Sequence, residues 1–84
     1  MTEDDLLILM VHAEDRHPHA AGAVLRLPGE PPALHLGDRQ LGLAAVRPFL
    51  NSLLRDWYIA RNPYREEYSV AEAGRKHYQA LTGG

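Results

Sequence analysis

Between Glu3 and Ala13 the apolar residues Leu6, Leu7, Leu9, Met10 and Ala13 recur at the three-to-four spacing of a helix with one buried side. Glu3, Asp4 and Asp5 crowd its start, where negative charge favours the helix dipole. Glu14-Asp15-Arg16-His17 reads as a polar turn. Pro18 suits a first helical position, because its missing N–H costs nothing there. Ala21, Val24, Leu25 and Leu27 then predict a second, short helix over 18–27, with Gly22 as its weak point. Pro28-Gly29-Glu30-Pro31-Pro32 must end that helix, since three prolines and a glycine in five residues exclude regular structure. Ala33-Leu34-His35-Leu36 alternates like a short strand that pairs elsewhere in a small sheet. The alternative is a hairpin of 23–27 and 33–36 across the proline loop.

The strongest helix is predicted over 44–56. Val46, Phe49, Leu50, Leu53, Leu54 and Trp57 share one side, and Pro48 is tolerable as a first-turn residue. After Trp57 the period changes. Tyr58-Ile59-Ala60-Arg61 and Glu67-Tyr68-Ser69-Val70 alternate around Asn62-Pro63-Tyr64-Arg65, which is good turn chemistry. A two-stranded wing over about 58–70 follows. Residues 71–81 return to helix, with Ala73, His77, Tyr78 and Leu81 inward. The order helix, helix, loop, helix, hairpin, helix predicts one mainly α domain with a small β-wing, a winged helix-turn-helix.

Composition fits a single folded domain. The chain has 84 residues, 45% of them hydrophobic and 24% charged, which argues against disorder. A net charge of −2 looks wrong for a nucleic-acid binder, but its distribution does not. Residues 1–38 hold two basic against seven acidic residues, −5; residues 39–84 hold seven basic against four acidic, +3. Such asymmetry points to a surface that faces a polyanion. There is no cysteine, so disulfides and thiolate metal sites are excluded and a reducing compartment is expected. The acidic start lacks the basic residues of a secretory leader. The longest apolar run, Leu6 to Val11, is too short to span a bilayer. The expectation is a cytoplasmic protein with no membrane partner.

Residues 46–59, Val46-Arg47-Pro48-Phe49-Leu50-Asn51-Ser52-Leu53-Leu54-Arg55-Asp56-Trp57-Tyr58-Ile59, resemble the recognition helix of the PadR family of transcriptional regulators. Tyr68-Ser69-Val70-Ala71-Glu72-Ala73-Gly74-Arg75 are similar to that family's second wing strand and the start of its next helix. Arg47 stands where the family has tyrosine, Trp57 where it has glycine, and Ala71 where a threonine caps the last helix. The resemblance implies a winged-helix fold and sequence-specific binding of double-stranded DNA as a small transcriptional regulator.

The residues themselves support the same site. Arg47, Asn51 and Arg55 are spaced i, i+4, i+8 opposite the apolar stripe. In the major groove arginine pairs with guanine and asparagine with adenine. Recognition helices read bases with their N-terminal half, which assigns Arg47 and Asn51, with Ala45 and Ser52, to base edges and Arg55 to phosphate. Arg61 and Arg65 flank the wing turn and would grip backbone or minor groove. Regulators of this shape bind two half-sites as dimers, so a homodimer built from residues 3–13 and 71–81 is expected. The rival reading is a winged helix used for protein contact or dimerisation, favoured by the acidic first half.

Other chemistry is weaker. Five histidines invite a metal reading, but His17 and His19 share a face only on a strand, and no HExxH-like spacing occurs. Asp4-Asp5 and Glu66-Glu67 are neighbours in sequence only, and Ser52 and Ser69 have no adjacent base. No metal, no cofactor and no enzyme active site is expected. Trp57, Tyr58, Tyr64, Tyr68 and Tyr78 are read as packing wing against helix rather than stacking on single-stranded bases.

Overall fold

A computed structural model describes residues 1–18 and 21–83. Thr2 opens the first helix, α1 (Glu3–Arg16), with a capping box. Its side chain accepts from the Asp5 N–H at 3.2 Å, and the Asp5 carboxylate accepts from the Thr2 N–H at 2.9 Å. Leu6, Leu7, Met10, Val11 and Ala13 are buried, as the stripe predicts. The helix runs three residues past the predicted end because its polar last turn has partners. Glu14 accepts from the Val70 N–H at 2.6 Å and pairs with Arg75 at 2.9 Å, and Asp15 pairs with Arg75 at 3.1 Å.

The second helix expected over 18–27 is not found. Residues 21–25 are a strand, β1 (Ala21–Leu25), followed by β2 (Ala33–Leu36) and β3 (Arg39–Gly42) in an antiparallel meander. Pro18 lies in a turn, and residues 19–20 of the expected helix lie outside the described residues. Two physical reasons favour the strand. Gly22 takes φ 85°, a left-handed conformation foreign to a helix interior, at a bulge in the β1–β2 register. The backbone of 33–36 also needs partners, and an isolated strand has none. The weighed alternative, a hairpin across the proline loop, matches this pairing, with Ala23 opposite His35 and Leu25 opposite Ala33. Gly37-Asp38 then turns β2 into β3, with Gly37 at φ 66°.

The expected change of period after the long helix is present. α2 (Leu43–Arg55) leads into a hairpin of β4 (Ile59–Asn62) and β5 (Glu67–Val70), and α3 (Glu72–Thr82) closes the described chain. Pro48 sits in the second turn of α2 rather than the first. It removes one backbone bond on the exposed side of the helix. The hairpin is not a free wing, because β5 also pairs with β1. The result is one five-stranded antiparallel sheet in the order β3-β2-β1-β5-β4. Val24, Leu34, Leu36, Leu41, Tyr68, Val70 and Ile59 share the face that meets the helices, and the core of Leu6, Leu7, Met10, Val46, Leu50 and Leu53 lies between the layers. The protein is thus a small α/β structure of three helices and five strands among the described residues.

α2 ends in a Schellman motif, with Tyr58 N–H on the Leu53 carbonyl at 2.9 Å and Trp57 N–H on that of Leu54 at 3.1 Å. The left-handed position of this motif favours glycine. Here it holds Trp57, at φ 64° and 79% exposed. A bulky side chain there is strained. Trp57→Gly is expected to stabilise the fold by about 0.5–1 kcal/mol, roughly 2–8 °C in Tm. A lower Tm in thermal melting would show that Trp57 makes packing contacts that offset its backbone strain.

Candidate nucleic-acid interface

α2 keeps Val46, Leu50 and Leu53 in the core and turns its other side to solvent. On that side Arg47, Asn51 and Arg55 are exposed, as is Ala45, and Ser52 is half-buried. No side chain caps the start of the helix, and no acidic residue lies in its first turn. The positive end of the helix dipole is therefore not offset locally. The start is fixed from outside, by the Leu43 N–H on the Pro32 carbonyl at 3.0 Å. β3 runs directly into α2, so the meander sets the direction of the helix.

Arg61 projects from β4 in register with Tyr68, on the helix-covered face but exposed at the sheet edge. Arg65 is exposed in the β4–β5 turn. There the Asn62 side chain accepts from the Tyr64 N–H at 2.9 Å, and the Glu67 N–H donates to the Arg65 carbonyl at 2.8 Å. An Asx turn of this kind pre-forms the tip.

The centre of the face is a residue pair that the sequence did not single out. The Val24 N–H donates to the Glu66 carbonyl at 2.8 Å, which draws the end of β1 onto the turn. Just beyond β1, Arg26 Nε donates to Glu66 Oε2 at 2.7 Å. The Glu66 carboxyl is held below the ordinary carboxylate range. The hydrogen bond from Arg26 is the main cause, opposed by desolvation and reinforced by the charges of Arg26, Arg61 and Arg47. One carboxylate therefore lies within electrostatic reach of an arginine just beyond β1, one on α2 and one on β4. Arg26 and Arg47 also line the same open hollow at the start of α2, with Pro31, Pro32, Gly42, Leu43 and Ala44. Of the expected site residues, Arg47 and Arg61 are the two whose charges act on Glu66. Asn51, Ser52, Arg55 and Arg65 make no side-chain hydrogen bond or ion pair with Arg26 or Glu66 among the described residues. Arg26 was hidden because residues 18–27 read as a helix. Glu66 is weighed in the sequence only as half of a carboxylate pair with Glu67, and its actual partner, Arg26, comes from 40 residues away through the approach of β1 to the turn.

The aromatic residues divide. Tyr68 is buried and Tyr58 and Tyr78 are half-buried, as expected of packing, but Trp57 and Tyr64 are 79% and 94% exposed. The left-handed backbone turns Trp57 outward, and Tyr64 stands at the turn tip, so neither packs wing against helix. Two of the histidines have side-chain partners: His77 pairs with Asp4 at 3.1 Å and stacks on Tyr58, and His12 meets the Tyr78 hydroxyl at 3.0 Å, whereas His35 Nδ1 is buried without a hydrogen bond. His19 lies outside the described residues. Among the described residues no three His, Asp or Glu side chains are placed to hold a metal, and no helix is long and apolar enough to cross a membrane. The two helices expected to form a homodimer pack on each other within one chain, through the Asp4–His77, Glu14–Arg75 and His12–Tyr78 contacts.

Because Arg47, Asn51, Arg55 and Arg65 are solvent-exposed, alanine at any of them is expected to change stability by less than about 0.5 kcal/mol. Thermal melting checks this, and a loss of several kcal/mol would place that side chain in the packing instead of on a free face. No protein-family model matches the chain, and neither does any curated protein or solved structure.

Proposed function

We propose that this face binds double-stranded DNA, with α2 in the major groove and the β4–β5 turn on the sugar-phosphate backbone, in a small PadR-like transcriptional regulator that acts as a homodimer. The observation that carries the proposal is the exposed arginine set of α2 and the β4–β5 hairpin, Arg47, Arg55, Arg61 and Arg65, with Arg26 and Arg47 bordering one hollow at the start of α2. A duplex bears one negative charge per ~1.7 Å of axis, and neutralising it with arginines supplies most of non-specific affinity. A helix and a hairpin turn that present positive charge on one face suit that polymer. The uncapped start of α2 adds backbone N–H groups of the kind that meet phosphate.

The winged-helix part of the reading rests on the order of elements. α1, α2, the β4–β5 hairpin and α3 occur in winged-helix order. The helix expected between α1 and α2 is replaced by strands of the same sheet. In this reading the meander does the work of that helix, holding the start of α2 through Pro32 and Gly42. Arg47 and Asn51, with Ala45 and Ser52, face base edges; Arg55, Arg61 and Arg65 meet phosphates. The second reading, a protein-contact module, is favoured by the exposed Trp57 and by Leu27, 53% exposed beside the proline loop.

Gel shift and anisotropy titrations on duplex DNA separate the two. Log affinity is expected to fall with log salt by ~0.9 per neutralised phosphate. Arg61→Ala and Arg65→Ala should weaken binding to all sequences alike and flatten that slope. Arg47→Ala and Asn51→Ala should cost roughly 1–3 kcal/mol on the preferred site and little on random duplex. Absence of duplex binding by the wild type near ~50 mM salt at micromolar protein would replace the DNA reading with the protein-contact module.

A further inference from the structure

Glu66 is an acidic residue in the β4–β5 turn, next to the exposed Arg65. It is joined to Arg26 Nε at 2.7 Å, and the pair is open to water, with side chains 54% and 43% exposed. Ion pairs this exposed contribute little to stability, so the bond is easily exchanged. Two features point to a phosphate as its replacement. Arg26 and Arg47 border one hollow at the start of α2, so the arginine that Glu66 holds shares that hollow with a residue of the proposed reading helix. A backbone phosphate also accepts two parallel bonds from a guanidinium, with a charge assistance that a lone carboxylate bond does not exceed.

Building on the DNA-binding reading, we infer that Glu66 is an internal competitor of the DNA phosphate: its carboxylate occupies Arg26 in the free protein, and duplex binding exchanges it for a backbone phosphate, which makes Arg26 a further DNA-contacting residue. The carboxylate lowers affinity for any polyanion that does not offer a phosphate in the right place. A well-registered site provides that phosphate and releases Arg26. A weakly registered duplex leaves the carboxylate in place, within reach of Arg47 and Arg61. Glu66 thereby widens the gap between preferred and random DNA, although it touches no base.

The exchange predicts an uncommon sign, a gain of binding on removing a side chain from the interface. Glu66 links to β1 through its backbone carbonyl, so Glu66→Gln and Glu66→Ala keep that link and are expected to melt with the wild type. Anisotropy at ~0.1 M salt on a random duplex should show both variants binding about threefold more tightly or better, with a smaller gain on a preferred site. Arg26→Ala should weaken binding more in the Glu66→Gln background than in the wild type, because there the arginine is not already neutralised. If the wild type binds and both Glu66 variants bind equally or less well, the competitor role is overturned and the DNA reading stands. If neither the wild type nor the variants bind duplex near ~50 mM salt, both fall.

Discussion

β1 approaches β5 so closely at Gly22 that there is no room between them for a side chain. Gly22 sits at φ 85°, and a Cβ on it would collide with the Tyr68 carbonyl. The direct register along this seam is short, with Ala23 opposite Glu67. Yet it merges the β1–β3 meander with the β4–β5 hairpin in one sheet. Gly22 is also the site of the bulge in the β1–β2 register. Tyr68 is buried on the helix-covered side of the same seam.

The proposed interface is a consequence of that seam. Because β1 lies against β5, the Glu66 carbonyl receives the Val24 N–H, and Arg26 reaches the carboxylate two residues later. β3 enters α2 on one side of the sheet, and α2 hands over through its Schellman motif to β4 on the other. α2 thus spans the sheet, with Leu50 and Leu53 buried and Arg47 beside Arg26 at the hollow near its start. α1 and α3 are braced on each other and on the hairpin, where Arg75 joins Glu14 and Asp15 and Gly74 lets α3 settle onto the Tyr58 carbonyl. Glu14 and Arg75 line a hollow that also reaches Asn62 and Glu67 of the hairpin.

What could be read from the sequence was what local physics decides. The stripe of α1, the amphipathic α2 and the change of period into β4 and β5 each follow from nearest-neighbour spacing. Residues 18–27 misled because Ala21, Val24, Leu25 and Leu27 satisfy a helical template and a buried strand almost equally. The deciding factors were a glycine conformation and pairing partners distant in sequence. The β2–β3 turn was legible and went unread: Gly37-Asp38 between alternating segments is a two-residue hairpin signal. Trp57 was noted as standing in a glycine position, and its φ of 64° explains why glycine is favoured there. Of the candidate site, the arginines of α2 and the turn were visible as a face. Arg26 and Glu66 were not, because the bond between them depends on a strand pairing that no local pattern encodes.

The central claim is that the start of α2 and the β4–β5 turn together form a face for duplex DNA. Amide chemical shifts followed by NMR during titration with a short duplex near ~50 mM salt test it most directly, since they locate binding without altering the protein. The account predicts shifts concentrated in residues 43–52 and 61–67 and at Arg26, with the amides of α1 and α3 holding their positions. Shifts confined to α1 and α3, or none at saturating duplex, would contradict it.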